Sequence, residues 1–436
     1  MKILLVIHGY PPHYNAGSEI YTQTLAHALV DLNHDVHVFA REEDPFAPDY
    51  QLREEADITR DEITVHLVNH YRSNARFQNS EIDVVFGQVL ETVQPDVVHF
   101  GHLNHLSFGL PQIAKSNGLP VLFTLHDFWI MCPRGQFLQW GLTGDEPWKH
   151  CDGQEDSKCA ERCFNRFIEG INPETEFETW TRWVRNRMAA IRDTCNSVDL
   201  FIAPSRHLAA RHVAEFGLNP EKVVYLDYGF DLERLSGRAR IFEEPFVFGY
   251  IGRHHPSKGI DLLIDAFGTL NGDSLLRIWG RTEGQLSKSL RGRITAYGGV
   301  KERIEWLPEY RNEDIVTNVF NKCDCVVVPS IWDENSPLVI HEAQQCGVPV
   351  ITAGYGGMGE YVRDGINGFT FRHRDMASLQ NAMQRAISDR DKFEKLGSKG
   401  YLYSRDGQIP AKEEHATAII SHYERLLGKH IVEVAA

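Results

Sequence analysis

The 436-residue sequence lacks the features that mark membrane-spanning and nucleic-acid-binding proteins. It has no apolar run approaching the ~18–20 residues that cross a bilayer. Positive charge is scarce, because 45 Lys and Arg oppose 60 Asp and Glu and leave a net charge of −15. A nucleic-acid partner needs a basic surface for its phosphates, so this charge argues against one. Low-complexity tracts and internal repeats, beyond a general alternation of strands and helices, are also missing.

The opening segment MKILLVIHGY is too short for a secretory signal peptide and is typical of a first β-strand. We therefore expect a cytoplasmic protein. Its charge disfavours docking of the whole surface on an anionic membrane, but one local patch at the inner face of the membrane stays open. The segment ETEFETWTRWVRNRMAAIRDT predicts a basic, aromatic helix. That helix either contacts a membrane or a lipid-linked acceptor, or packs on its own domain with a solvated basic face.

Apolar strands alternate with helical stretches through both halves of the chain, which predicts an α/β fold with parallel sheets. The length is too great for one core and suits two domains. The segment GFDLERLSGRARIFEEP is charged and aperiodic, so it predicts a linker. The acid-rich segment 41–62 predicts a surface loop. The predicted organisation is an N-terminal Rossmann-like domain at 1–230 with a cysteine-rich insertion near 130–165, a linker at 231–245, a C-terminal Rossmann-like domain at 246–410 and a last helix at 411–436.

The strongest functional pattern is SIWDENSPLVIHEAQQCGVPVITAGYGGMGEYVRDGING, which follows the strand-like run CDCVVVPS. Ser336 is predicted to cap a helix and Pro337 to fit its first turn. Gly347 and Pro349 are predicted to end that helix after about three turns.

Two acids flank this predicted helix start. Glu334 lies just before it, and Glu342 lies about one turn inside the helix. The amides of Leu338 and Val339 would then point out of a positive helix end, which suits phosphate oxygens. A phosphate site between two hydroxyl-binding acids, at the carboxyl end of a strand, suits a nucleoside-diphosphate sugar.

Further candidate ligand contacts follow other strands. Arg253 and Lys258 come after a strand in GYIGRHHPSKGIDLLIDAF, where Arg offers a bidentate fork and Lys a mobile point charge. Gly17 opens the first helix in AGSE and allows close approach of a ligand to the backbone. His126 ends the strand PVLFTLHD, and His8 ends the first strand.

The Glu334–Glu342 stretch resembles the E-x7-E region of retaining GT-B glycosyltransferases, in particular family four of nucleotide-sugar transferases. The resemblance covers nearly the whole chain. It implies two Rossmann-like domains facing each other across a cleft, with the last helix packed back on the first domain. It also implies front-face transfer with retention of configuration. In such a reaction Arg and Lys side chains of the protein stabilise the leaving phosphate, so no catalytic metal is required.

The resemblance implies a role for each matching residue. Glu342 would hold the ribose hydroxyls, and His126 would contact the donor sugar near the reacting carbon. The implied catalytic residues are His126, Glu334, Arg253 and Lys258. The implied donor-binding residues are Gly17, Arg253, Lys258, Glu334, Asn335, Ser336, Pro337, Leu338 and Glu342. The family usually has two glycines at the turn around Gly17, whereas this sequence has one.

A glycine-rich segment in the second half of the chain resembles a dinucleotide-binding motif. Gly354, Gly356 and Gly359 satisfy G-x-G-x-x-G after a strand. Dinucleotide binding also needs a full helix and then a strand ending in an acid about 20 residues on. EYVRDGING leaves barely two turns before the next strand, so we reject NAD binding. The resemblance implies instead that this loop closes on the donor sugar.

Metal-ligating residue types occur in two places. His99, His102 and His105 straddle a strand end and a loop, and we interpret them as structural, with a metal role as the alternative. Four of the eight cysteines lie in the predicted insertion. A structural zinc, separate reduced thiols and an iron–sulfur cluster all stay open for them, because CxxC pairs are missing and cytosolic disulfides are rare. These candidate ligands are Cys132, Cys151, Cys159 and Cys163.

These observations predict a retaining glycosyltransferase that moves a sugar from a nucleoside-diphosphate sugar, a UDP-sugar being favoured, to an acceptor hydroxyl. The acceptor would be a glycan or a lipid-linked molecule in glycan, polysaccharide or glycolipid biosynthesis. A GT-B sugar-nucleotide epimerase and a non-catalytic sugar-nucleotide-binding protein are the alternatives. The sequence leaves the donor base, the sugar, the acceptor and the oligomeric state open.

Overall fold

The computed structural model describes residues 1–71, 77–140, 148–164, 173–240, 245–281, 284–294 and 300–434. The chain divides into two compact units. Unit 1 comprises residues 1–135, 153–230 and 410–436, and unit 2 comprises residues 136–152 and 231–409.

Both units are built from strands and helices that alternate along the chain. The strands are β1 (Lys2–Ile7), β2 (Asp35–Glu42), β3 (Leu52–Ala56), β4 (Thr64–Asn69), β5 (Val97–Phe100), β6 (Val121–Thr124), β7 (Leu138–Gln139), β8 (Lys149–His150), β9 (Leu200–Ala203), β10 (Val223–Tyr225), β11 (Phe246–Ile251), β12 (Ser274–Trp279), β13 (Ile304–Trp306), β14 (Cys325–Val328), β15 (Val350–Ala353) and β16 (Gly368–Phe371). The α-helices are α1 (Gly17–Asp31), α2 (Ser80–Val93), α3 (Leu110–Ser116), α4 (Asp156–Cys159), α5 (Pro173–Asn196), α6 (Arg206–Arg211), α7 (Ile260–Gly268), α8 (Gly284–Arg293), α9 (Ile315–Asn318), α10 (Leu338–Gln345), α11 (Met358–Tyr361), α12 (Met376–Ser388), α13 (Arg390–Gly397) and α14 (Lys412–Val434).

The sheet of unit 1 has the strand order β10-β9-β6-β5-β1-β2-β4-β3. Its pairs are parallel except β3–β4 at one edge, which is antiparallel. The central strands are apolar and buried, as expected for a parallel sheet covered on both faces. The prediction of a loop over 41–62 is wrong where β3 forms. Its sequence LREEA lies at the sheet edge, where Arg53 pairs with Glu42 and Glu55.

The C-terminal helix α14 lies in unit 1. Its His415 contacts the Tyr21 hydroxyl of α1 at 2.9 Å. Its Tyr423 contacts Nδ1 of His99 on β5 at 2.7 Å, and Nε2 of that histidine lies 2.7 Å from the Thr124 hydroxyl. These groups are buried, so polar side chains from widely separated segments satisfy one another inside the unit.

The sheet of unit 2 has the strand order β13-β12-β11-β14-β15-β16, and all its pairs are parallel. The predicted linker differs from the structure, because residues 231–240 belong to unit 2. Arg240 pairs with Asp324 at 2.8 Å, and Arg238 donates to the Phe320 carbonyl. The predicted insertion also divides, since residues 136–152 belong to unit 2 rather than unit 1.

No helix in the described part of the chain is both long enough and apolar enough to cross a bilayer. The basic helix α5 directs its aromatic side chains into contacts within unit 1. Trp180 stacks on Phe164 with ring centroids 5.0 Å apart, and buried Arg187 donates to the Trp129 carbonyl at 2.7 Å. Arg182 and its neighbours on the side of the helix away from these contacts are exposed to solvent.

Candidate active site

The carboxyl end of β14 carries the candidate site of unit 2. The residues that follow the strand are buried, although Asp333, Glu334, Asn335 and Ser336 are all polar. Helix α10 then begins at Leu338. The predicted cap is wrong, because Pro337 occupies the N-cap position and makes no side-chain cap bond.

The length predicted for this helix is also wrong. Helix α10 has eight residues and ends at Gln345, so it makes about two turns rather than three. The predicted positions of the two acids agree with the structure. Glu334 precedes the helix and Glu342 is its fifth residue.

Glu334 is held by Lys258, from the segment after β11, and by Ser330, four residues before it in the chain. Lys258 Nζ lies 2.7 Å from its Oε1, and the Ser330 hydroxyl donates to the same oxygen at 2.6 Å. The lysine also lies over the Trp332 ring, 5.2 Å from its centroid. The Lys258 side chain stays 34% exposed, whereas that of Glu334 is 7% exposed. An ammonium has three N–H donors, so Lys258 can contact a phosphate while it remains paired.

The glycine-rich loop after β15 fits directly against this acid. The Gly357 amide donates to the Glu334 carbonyl at 2.8 Å. A Cβ added at Gly357 would lie 1.2 Å from the Asn335 carbonyl oxygen, so only glycine fits. Helix α11, which follows, has a single turn, whereas a dinucleotide site needs a full helix there.

Glu342 has a partner that the sequence did not indicate. Arg234 Nη2 lies 2.7 Å from Glu342 Oε1, and Arg234 Nη1 donates to the Asn312 carbonyl at 3.0 Å. Burial and the neighbouring Glu342 charge raise the pKa of Tyr310. A pattern search could not find Arg234, because it lies 108 residues from Glu342 in an aperiodic segment.

Arg253 follows β11 at the same edge of the sheet, with an exposed side chain. Its carbonyl accepts a hydrogen bond from the Tyr250 hydroxyl at 2.8 Å. The structure thus places both predicted cations in the segment that follows β11, and Lys258 pairs with Glu334.

Unit 1 carries a second polar cluster at the carboxyl edge of its sheet. Helix α1 starts at Gly17, and Ala16 supplies no side-chain cap. Glu19 in its first turn lies 3.1 Å from His8 Nε2 and accepts from the Ser18 hydroxyl at 2.8 Å. Burial opposes the charge of Glu19, but these contacts outweigh it and lower its pKa to about 2.

His8 in turn packs edge-on against His102, with centroids 4.6 Å apart, and His102 Nε2 lies 3.7 Å from Asp127. His102, for which the sequence predicts a structural role with a metal role as the alternative, thus connects the ends of β1, β5 and β6. The sequence signal was present, since each of these side chains follows a strand of one parallel sheet.

His126 lies in the same cluster, with Nδ1 2.8 Å from the Tyr228 hydroxyl. Burial, with a smaller effect of the His102 charge, lowers the pKa of His126 to about 3. Its imidazole is therefore neutral near pH 7 and acts as a hydrogen-bonding group rather than as a cation.

The four candidate zinc ligands are all buried, and none of the four forms a disulfide. Cys151 belongs to unit 2, whereas Cys132, Cys159 and Cys163 belong to unit 1. A group of three or more His, Cys, Asp or Glu side chains arranged to hold a metal is not found among the described residues. The zinc site therefore stays a prediction.

Comparison with known families decides what kind of protein carries these sites. Residues 15–234 match the model of Glycosyltransferase Family 4, and residues 232–403 match that of Glycosyl transferases group 1. The chain belongs to glycosyltransferase family 4. The resemblance drawn from the E-x7-E stretch is thereby confirmed.

Curated relatives of this family 4 member include two D-inositol 3-phosphate glycosyltransferases. The one from Mycobacterium bovis is 27% identical over 262 residues, 57% of this chain and 53% of the relative. The one from Geodermatophilus obscurus is 27% identical over 224 residues, 48% of this chain and 49% of the relative. The chain thus spans about half the length of the curated relatives it matches.

Solved structures confirm the fold class of this family 4 member, which is α/β with Rossmann-like units of the GT-B type. Sucrose-phosphate synthase from Thermosynechococcus elongatus gives a TM-score of 0.69 at 17% identity, over 98% of this chain and 99% of that one. Anabaena HepE in complex with UDP and glucose gives a TM-score of 0.63 at 19% identity, over 100% of this chain and 99% of that one. At these identities the likeness concerns the fold alone.

Proposed function

We propose that this family 4 member is a retaining glycosyltransferase that moves a sugar from a nucleoside-diphosphate sugar to an acceptor hydroxyl. The observation that carries the proposal is the Lys258–Glu334 pair at the start of α10, with Glu342 about one turn into that helix. It combines a cation, the N-terminal amides of a helix and two acids at the carboxyl edge of a parallel sheet. That edge is where open α/β sheets bind nucleotides.

In this mechanism the bond between the sugar C1 and the phosphate oxygen breaks, and the acceptor oxygen forms the new bond to C1. The acceptor proton passes to the departing phosphate oxygen on the same face. Arg253, Lys258 and the first amides of α10 stabilise the negative charge that grows on the leaving diphosphate. Glu342 binds the ribose hydroxyls. Neutral His126 accepts or donates one hydrogen bond to a sugar hydroxyl.

The donor proposed is a UDP-sugar, which is what HepE binds in its UDP-glucose complex, and the acceptor is a glycan or lipid-linked hydroxyl. Purified protein would be screened with UDP-, GDP- and ADP-sugars by thermal shift, because a tight ligand raises the melting temperature. Labelled donor is then incubated with candidate acceptors. Released nucleotide together with a larger glycoside supports transfer. An isomerised donor would indicate an epimerase, and binding without turnover a sugar-nucleotide-binding protein.

The protein's own cations are proposed to replace a catalytic metal, so transfer should persist after dialysis against EDTA. A structural zinc held by the cysteines is a separate proposal, since four thiolates would leave no open coordination position. Metal analysis of protein purified without a metal-affinity column should find about one zinc per chain. A content near zero in folded, active protein would end the zinc hypothesis. The ligands concerned are Cys132, Cys151, Cys159 and Cys163.

A further inference from the structure

A short hairpin from the first half of the chain is built into unit 2. Strands β7 and β8 pair antiparallel, and residues 136–152 around them belong to unit 2, although residues 1–135 and 153–230 form unit 1. We call the described part of this segment, residues 136–140 and 148–152, the inserted hairpin. Of its side chains, the proposed function uses only Cys151, as a candidate zinc ligand, and none for the donor.

The inserted hairpin contacts loops that follow three strands of the unit 2 sheet, β11, β15 and β16. After β15, the Tyr355 hydroxyl lies 3.2 Å from His150 Nε2. After β11, the ring of His255 lies 4.9 Å from that of Trp148. After β16, Arg374 Nη1 donates to the Trp148 carbonyl at 2.9 Å. All these contacts are therefore at the carboxyl edge of the sheet, where a ligand binds in this kind of fold.

Two of these contacts lead to Glu334. His255 is three residues before Lys258, whose ammonium pairs with Glu334. Tyr355 is two residues before Gly357, whose amide donates to the Glu334 carbonyl. Through Arg374 the hairpin is also joined to the loop after β14, because Nη1 of this arginine donates to the Ile331 carbonyl at 3.1 Å as well.

The Tyr355 ring also has a stacking partner. It stacks on His373 with ring centroids 4.3 Å apart and planes 8° apart. The backbone around this contact is unusual, since Trp148 and Arg374 have φ of 63° and 62°. Bulky residues rarely adopt this left-handed region, and such residues cluster at ligand sites.

We propose that the inserted hairpin is part of the donor site and holds the glycine-rich loop for the sugar-bearing end of the donor, with His150 as a positioning residue. The inference rests on the proposed function, in which Glu342 binds the nucleoside. The hairpin contacts gather around Glu334, whereas Glu342 pairs with Arg234. His150 should therefore affect the sugar end of the donor more than the nucleoside end.

The test compares a nucleoside diphosphate with its sugar nucleotide. Calorimetry would measure UDP and UDP-glucose, and the GDP and ADP pairs if these bind better, on His150→Ala, Tyr355→Phe and the double variant. Loss of one hydrogen bond should weaken sugar-nucleotide binding about threefold to tenfold. The double variant should be no weaker than either single variant, because both remove the same contact. Nucleoside diphosphate affinity should not change.

A rescue variant and a control separate positioning from damage to the fold. His150→Gln keeps a hydrogen-bonding group near the position of Nε2 and should restore most of the sugar-nucleotide affinity. His422→Ala, in helix α14, removes a histidine of unit 1 and should match the wild type. Thermal unfolding of each variant shows whether the fold is intact, and Tyr355→Phe serves if His150→Ala is unstable.

Three results would overturn the inference. They are unchanged sugar-nucleotide affinity in the variants, equal weakening of UDP and UDP-glucose, and additive effects in the double variant. If the wild type binds no sugar nucleotide, the proposed function fails and this inference fails with it. If the wild type binds and the variants behave like it, the inference alone fails.

Discussion

Glu342→Gln is the substitution that tests the nucleoside end of the candidate site most directly. It keeps the size of the side chain, removes the negative charge and replaces one acceptor oxygen by an NH2 donor. Hydrogen bonds to a charged acceptor contribute about 1.5–3 kcal/mol and neutral ones about 0.5–1.5 kcal/mol. The expected loss is thus about 1–1.5 kcal/mol for each ribose hydroxyl bound, or roughly tenfold in Kd for one such bond.

The pairing of Glu342 with Arg234 adds a second effect that must be separated from binding. The two side chains are only 12% and 18% exposed, so removing the charge leaves a largely buried guanidinium without its ion pair. The variant should therefore also be less stable. Since a carboxylate accepts several hydrogen bonds, the Arg234 contact at Oε1 is compatible with the proposed ribose contact at Oε2.

The assay is calorimetric titration of UDP, GDP and ADP into wild type and variant, at a temperature where both are folded by circular dichroism. Glu305→Gln is the matched control, because Glu305 pairs with Arg277 at 2.7 Å on the same unit but is 41% exposed. Such an exposed pair contributes little, so nucleotide affinity should be unchanged. An identical Kd for the folded Glu342→Gln variant and the wild type would refute the assignment of Glu342 to ribose.

The remaining predictions concern charge, geometry and pH. Lys258→Ala and Arg253→Ala should each lower kcat more than they weaken donor binding, because leaving-group charge grows in the transition state; saturation kinetics showing only a raised KM would contradict this. His126→Ala should slow transfer by up to about a hundredfold through misplacement of the sugar, with nucleoside diphosphate affinity unchanged; if rate and affinity both stay at wild-type values, the residue is only structural. Burial lowers the pKa of His99 to about 3 and that of His415 to about 4, so both are neutral in the fold but protonate near pH 6.5 when unfolded. The contribution of these two histidines to the free energy of unfolding should therefore be full above about pH 6.5 and fall as the pH drops towards 4. Equal free energies of unfolding in urea at pH 7.5 and pH 5 would exclude this contribution.

Local patterns were sufficient for the fold class and for the core of the candidate site. Apolar runs such as CVVV of β14 predict buried parallel strands, because strands covered on both faces carry little else. The same local order places Glu334 before α10 and Glu342 within it. Local patterns failed for the helix cap, since Pro337 rather than Ser336 occupies the N-cap position.

Tertiary structure alone decided which distant side chains meet. Arg234 and Glu342 are 108 residues apart, Lys258 and Glu334 are 76 apart, and the hairpin residue His150 is 205 residues from its partner. The sequence predicts that Arg234 lies in a linker and that His150 lies in an insertion of the N-terminal domain. The sequence spacing of such pairs shows no periodic pattern, because it depends on the order of the strands in the sheet. Hydrophobic periodicity therefore determined the elements, and the sheet topology determined the partners.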